Sequence, residues 1–251
     1  MRRPATVALV LLLPLSPVAA PKVARESLEI AGQKHEYFVF VPKIVADGPG
    51  APVLVLLHGS GRDGLSQIDP WKDTASREGI ILVAPNAVNP RGWEIPSDGP
   101  EPLIAIAEAV RTKYQADSNR VYLFGHSAGA VFSLYMACVK PNYFAAIAAH
   151  AGDVPADAGK KVADAARAAE RKTPIFVQVG TDDPYFPVAD VRRTQALFVE
   201  AGFLFDVKVI PHHDHNYYVI SDKVNREAWS FLKDKALAPR EATPPRETRP
   251  E

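Results

Sequence analysis

The sequence predicts an α/β fold: a mostly parallel sheet of eight strands with helices on both faces. Three observations predict it. Short runs of aliphatic, β-branched and aromatic residues recur at 53–57, 80–83, 121–124, 144–147, 175–179 and 205–210. Most of them lack polar residues at alternate positions, so strands of this kind are buried on both faces, as in a parallel sheet. Longer stretches of helical composition separate them, which is the spacing of strand, crossover helix and strand. Ahead of them, 26–30 and 36–41 flank Gly32 and read as an antiparallel hairpin at the sheet edge.

Helices are expected at 70–78, 101–114, 128–140, 188–201 and 219–235, with Gly79 and Gly202 placed to stop two of them. Only about 25 residues separate the 144–147 run from Thr173, and the Ala- and Lys-rich part, 160–171, suffices for one helix. No large cap domain fits there, and a shallow, open site follows. Residues 21–237 are expected to form the folded domain, and the charged, proline-rich stretch 238–251, without an apolar face, is expected to be disordered.

The first 20 residues read as an export signal: Arg2 and Arg3, an apolar run over 7–13, then small residues through Ala20. The apolar run is short for a membrane span and is interrupted by Pro14 and Pro17. The expectation is a secreted or periplasmic protein with no integral membrane association after cleavage, which Pro21 leaves uncertain in position. Lys and Arg number 29, Asp and Glu 29, so no excess of positive charge marks a nucleic-acid or anionic-membrane partner. Cys138 is the only cysteine, which excludes an internal disulfide and paired-cysteine zinc or redox motifs. Among Tyr135, Met136 and Ala137 it reads as a packing residue.

Gly125-His126-Ser127-Ala128-Gly129 directly follows the 121–124 strand and opens the 128–140 helix. A tight turn is the plain reading of five such residues. The order of strand, G-x-S-x-G and helix also makes a nucleophile elbow, in which a strained serine is pushed out above the sheet edge. A serine needs a general base in reach and a carboxylate to orient that base. The 175–179 strand is followed by Gly180-Thr-Asp-Asp-Pro184, offering Asp182 and Asp183, and the 205–210 strand by Pro211-His-His-Asp-His215, offering His212, His213 and His215. The same histidine cluster is also the one place a zinc site is conceivable, but nothing in a flexible loop guarantees that its imidazoles converge. Charge developing on a substrate oxygen needs preorganised donors. The glycine-rich turn His58-Gly59-Ser60-Gly61 ends the 53–57 strand, and the backbone N–H groups of Ser60 and Ala128 are assigned as those donors. His58, upstream of the serine and inside the turn, reads as structural. Trp93, in the 86–102 loop, is a candidate wall for an acyl or aryl group as well as an ordinary packing residue.

With these segments in this order, the chain resembles the α/β-hydrolase superfamily. More narrowly, L-L-H-G-S-G, G-H-S-A-G-A and G-T-D-D-P-Y-F-P together with the late histidine resemble the single-domain esterases grouped with polyhydroxybutyrate depolymerases, feruloyl and acetylxylan esterases and the phospholipase/carboxylesterase proteins. The similarity runs from about Ser27 to about Lys235. It implies the chain order serine, acid, histidine, selects Asp183 as the residue before the proline, and selects His215 as the histidine nearest the last helix. The implied activity is hydrolysis of a small or polymer-attached carboxylic ester through an acyl-enzyme, without cofactor or metal. A serine peptidase or acyltransferase would use the same residues, and a binding protein without catalysis is the non-enzyme alternative.

Overall fold

The structure is a computed structural model that describes residues 22–45 and 50–238. The expected export signal, and all of the expected tail but Ala238, lie outside the described residues. Eight strands, β1 (Val23–Ile30), β2 (Gln33–Phe40), β3 (Val53–Leu57), β4 (Ile81–Pro85), β5 (Val121–His126), β6 (Ala146–His150), β7 (Ile175–Gly180) and β8 (Phe205–Ile210), form one sheet in the order β1-β2-β4-β3-β5-β6-β7-β8. The β1–β2 and β2–β4 pairs are antiparallel, and every later pair is parallel. Among the described residues, seven helices accompany these strands: α1 (Gly64–Ile68), α2 (Lys72–Glu78), α3 (Glu101–Lys113), α4 (Ala128–Val139), α5 (Gly159–Ala168), α6 (Val188–Glu200) and, after β8, α7 (Tyr217–Leu232).

Strand alternation explains the layering. On β3, Val53, Val55 and Leu57 point into one core with Leu103, Ile106 and Val110 of α3, Leu134 and Met136 of α4 and Phe198 of α6. Leu54 and Leu56 point into the other, with Ile68 of α1, Trp71, and Val224, Trp229 and Leu232 of α7. All five β3 residues are fully buried, so the strand has no solvent face to mark with polar residues. Gly79 and Gly202 follow α2 and α6 with φ of 70° and 90°, the left-handed conformation that ends a helix at little cost in glycine.

Several expected elements differ in their bounds, among them both hairpin strands, which begin three residues earlier than expected, at Val23 and Gln33. The 70–78 helix is preceded by α1, whose start is fixed by a capping box between Asp63 and Ser66, and a 3-10 turn at Asp69–Trp71 separates it from α2. The 144–147 strand begins and ends later, at Ala146 and His150, because pairing with β5 continues through His126↔His150, where the polar side chain hides a strand position from a reading of apolar runs. The last helix starts two residues earlier than expected, at Tyr217. Between β6 and β7 lie a 3-10 turn at Ala156–Ala158 and α5, and no cap domain is present among the described residues.

Candidate active site

Ser127 sits between β5 and α4 with φ 56° and ψ −120°, a strained conformation for a residue with a side chain. The flanking glycines make the close approach feasible. A Cβ on Gly125 would stand 2.2 Å from the carbonyl oxygen of Gly129, and one on Gly129 would stand 2.3 Å from that of Leu57 in β3. The elbow is therefore pressed against the neighbouring strand and the first turn of its own helix. The Ser127 N–H donates to the His150 carbonyl at 3.0 Å, which ties the turn to β6 as well.

The loops after β7 and β8 are joined to each other before they reach the serine. The Asp182 N–H donates to the His213 carbonyl at 2.9 Å, and the His212 N–H donates to the Thr181 hydroxyl oxygen at 2.8 Å. This clamp brings Asp183 and His215 together across the sheet end. His215 Nδ1 lies 2.8 Å from Asp183 Oδ2, and His215 Nε2 lies 2.9 Å from Ser127 Oγ. The other Asp183 oxygen accepts the N–H groups of Tyr185 and Phe186, each at 2.9 Å. Burial works to raise the Asp183 pKa, but the hydrogen bonds from His215, Phe186 and Tyr185 outweigh it and hold the carboxyl below its ordinary value. An ionised Asp183 only accepts, so His215 Nδ1 carries the proton and Nε2 is free to accept the serine hydroxyl proton.

The competing residues go elsewhere. Asp182 is exposed and accepts the hydroxyl of Thr181 at 2.7 Å. His212 is exposed in a left-handed conformation, φ 53°. His213 turns inward, its Nε2 lying 3.2 Å from His150 Nε2, and His150 Nδ1 lies 3.2 Å from His126 Nδ1. The three histidines of the loop thus point in three directions, and no group of three or more His, Cys, Asp or Glu among the described residues is arranged to hold a metal ion. His58 is buried, with Nδ1 2.8 Å from the Gly59 carbonyl and Nε2 accepting the Ala87 N–H at 3.0 Å, so its two ring nitrogens are used in bracing the turn.

Sequence reading missed the buried His126–His150–His213 row and the aromatic residues around His215. Phe186 stacks on the His215 ring at 5.6 Å, and Tyr185 meets it edge-on at 4.9 Å. Burial and the charge of His215 push the His126 pKa down to about 3, and burial with the neighbouring imidazoles holds His150 well below its ordinary value. These rings are neutral packing groups around His215. Each comes from a strand end, which is the signal that one sequence conceals: His150 marks a strand position only once β6 is paired.

Two depressions flank the serine. One, of about 400 Å³, is lined by Ser60, Arg62, Ser127, Tyr185, His215 and Tyr218, and the Arg62 guanidinium stands 4.8 Å above the Tyr218 ring. The other, of about 550 Å³, is mainly apolar and opens beside Ala128, with Trp93, Val131, Phe132, Tyr135 and Val154 among its walls. Trp93 is fixed there by donating its Nε1–H to the His58 carbonyl at 2.9 Å and by stacking with Phe132 at 5.7 Å. The backbone of Gly59 lies against the elbow, since a Cβ there would stand 3.2 Å from Ser127 Cβ, which sets Ser60 at the rim of the first depression. Ala128 opens α4, where the N–H of a first helical residue has no partner within the helix.

The sequence profile of the Esterase family matches residues 104–235, the stretch from α3 through the end of α7 that contains the elbow and both loops. The chain belongs to the Esterase family. This esterase-family chain is 30% identical over 156 residues to a bifunctional acetylxylan esterase/xylanase of Neocallimastix patriciarum, covering 61% of this chain and 22% of that one. It is 31% identical over 137 residues to acetylxylan esterase A of Aspergillus oryzae, covering 51% and 44%. The matched stretch thus spans less than half of the length of these relatives. The esterase-family chain also superposes on a ferulic acid esterase with a TM-score of 0.69 at 18% identity, covering 85% of this chain and 98% of that one, which shows a shared α/β-hydrolase fold.

Proposed function

We propose that this chain hydrolyses carboxylic esters through an acyl-enzyme, with Ser127 as nucleophile, His215 as base and Asp183 as the carboxylate that orients it. The observation that carries the reading is the continuous line of contacts from Asp183 Oδ2 to His215 Nδ1 at 2.8 Å and from His215 Nε2 to Ser127 Oγ at 2.9 Å, on a serine held in an elbow. Membership in the Esterase family supports it.

In this reaction Ser127 Oγ attacks the ester carbonyl while its proton passes to His215 Nε2, and the imidazolium is stabilised by Asp183. The N–H groups of Ser60 and Ala128 receive the oxyanion. The imidazolium then protonates the departing alcohol, and water, deprotonated by the same nitrogen, releases the acid. No step requires a cofactor. Because the alcohol takes its proton from His215, it leaves on the His215 side, into the polar depression of Arg62, Tyr185 and Tyr218. The acyl group then lies on the opposite side, in the apolar cavity past Ala128 and Trp93. Tyr185 is 71% exposed at the outer edge of the alcohol side, so the alcohol can belong to a molecule much larger than the depression, a polymer included. Arg2, Arg3 and the apolar run over 7–13 support export to the periplasm or the medium, where such substrates occur.

Covalent labelling with a fluorophosphonate, alongside turnover of p-nitrophenyl acetate, tests the assignment. Wild-type protein is expected to be labelled and active, and Ser127→Ala to be unlabelled with kcat lower by about 10³-fold or more. Undiminished turnover by pure Ser127→Ala removes the serine from the mechanism, and faster cleavage of matched amides than of esters moves the reading to a peptidase.

A further inference from the structure

The apolar cavity contains one feature that an aliphatic pocket has no use for. Asp153, three residues beyond β6, lines it beside Val154 and is only 9% exposed. Its carboxyl makes no hydrogen bond or ion pair with another described residue. Arg193, whose charge acts on Asp153, forms an ion pair with Asp190. The remaining polar side chains on the cavity walls do not serve it either: Lys161 is exposed at the mouth, and Tyr135 is half-buried and packs against Phe132. Burial raises the Asp153 pKa, with the Asp190 charge acting in the same sense. A carboxyl that faces a mainly apolar cavity without a protein partner is open to a ligand group that donates to it.

The position fits a ligand group attached to the reacting carbonyl. Gly152 is packed on the first turn of α4, where a Cβ would stand 2.4 Å from Ala130 Cβ, so Asp153 is held next to the helix that starts at the nucleophile. Ala128 and Val131 of the same turn line the cavity together with Asp153. Resting on the acyl-side assignment above, we propose that this cavity selects acyl groups carrying a hydroxyl, whose O–H donates to the Asp153 carboxyl, over acyl groups of equal size that are wholly hydrocarbon. Either protonation state of Asp153 offers an accepting oxygen. Without that acceptor the preference would run the other way, because a hydroxyl entering an apolar cavity loses its bonds to water.

A panel of p-nitrophenyl esters tests this, pairing each straight acyl chain of about four to eight carbons with its ω-hydroxy counterpart, and phenylpropanoyl with 4-hydroxyphenylpropanoyl. At the lengths that reach the carboxyl, wild-type kcat/KM is expected to be about tenfold higher for the hydroxylated member. Asp153→Leu should invert that ratio, and Asp153→Asn, whose amide oxygen still accepts, should keep most of it. Turnover of the acetyl ester and fluorophosphonate labelling by the wild type read the serine chemistry apart from the hydroxyl preference. Loss of labelling and acetate turnover in the wild type would strike the ester-hydrolase reading itself. Normal acetate turnover with the hydrocarbon member preferred in every pair, or a hydroxyl preference that survives Asp153→Leu, would overturn the role of Asp153 alone.

Discussion

Acid should weaken this fold through the histidines packed behind His215, and His126 gives the effect a magnitude. In the folded chain its imidazole stays neutral down to about pH 3, because the ring is buried and lies 5.0 Å from the ring of His215, whereas the ordinary value is 6.5. Between those values the unfolded chain holds a proton that the folded chain does not. Stability therefore rises with pH in this window and is lost as pH falls, at about 1.4 kcal/mol per unit for each such group. Over the two units from about pH 6.5 to about pH 4.5, His126 alone withdraws roughly 3 kcal/mol, a large share of the 5–15 kcal/mol that holds a typical domain. His150, His213 and His58 are shifted in the same direction by burial and add to the loss. Asp98 and Asp153 oppose it, since burial raises both, and the folded chain gains stability as it takes up their protons first. Asp183 stays out of this window, because a lowered carboxyl gives up its contribution only below 3.8. Urea unfolding at half-unit steps across the window, for wild type and for His126→Gln, reads the effect. The glutamine does not titrate and its amide can still donate to the His150 carbonyl, which lies 3.3 Å from His126 Nδ1. The wild-type stability should fall with acid more steeply than that of the variant, by up to about 1.4 kcal/mol per pH unit. Equal slopes, or wild-type stability that climbs as the pH drops, would refute the reasoning.

Three further outcomes are expected. In ester hydrolysis at neutral pH, Asp183→Asn should lower kcat by at least about 10²-fold while Asp182→Asn stays within about threefold, because only the former takes away the negative charge beside His215 Nδ1 and, with its amide oxygen held by the Tyr185 and Phe186 N–H groups, turns an NH2 donor toward that nitrogen; the reverse ranking would transfer the role. Trp93→Phe removes the indole bond to the His58 carbonyl and should cost about 1 kcal/mol in urea unfolding, slowing turnover of bulky acyl esters more than that of acetate; equal slowing of both would mean that Trp93 acts on the turn and not on the acyl group. Gly129→Ala should lose about 3 kcal/mol or more, given the 2.3 Å approach to the Leu57 carbonyl, whereas Gly159→Ala, with nothing within 4 Å of the added Cβ, should leave the thermal midpoint unchanged or higher.

Much of the architecture was legible because a strand buried on both faces leaves an uninterrupted apolar run. The run at 53–57 coincides with β3, and the run at 205–210 coincides with β8, an edge strand whose Asp206 and Lys208 alternate with apolar residues. Where function intrudes on a strand the signal fails: β6 ends in His150, a residue that only its pairing with His126 and its place behind His213 assigns to the sheet. Short helices fail for another reason. The five residues of α1 are too few to show a helical period, and only the Asp63 and Ser66 cap marks the start. At the candidate site, the elbow is a local feature, since glycines at 125 and 129 are demanded by contacts that a side chain would break. The partners of the serine are not local. Asp182 and Asp183 are chemically identical neighbours, and what separates them is direction: the turn that gives Asp183 two backbone N–H donors and a fully buried side chain leaves Asp182 in solvent. The same holds for His213 and His215, two residues apart in one loop. The contact of the Gly180 backbone with the His213 carbonyl, too tight to admit a Cβ, fixes where that loop crosses β7, and from that crossing His213 turns into the buried histidine row while His215 reaches the serine. A side chain larger than glycine at 180 would therefore shift the loop crossing, so Gly180→Ala is a substitution remote from the reacting atoms that should separate His215 from Ser127 and lower kcat with the elbow itself untouched.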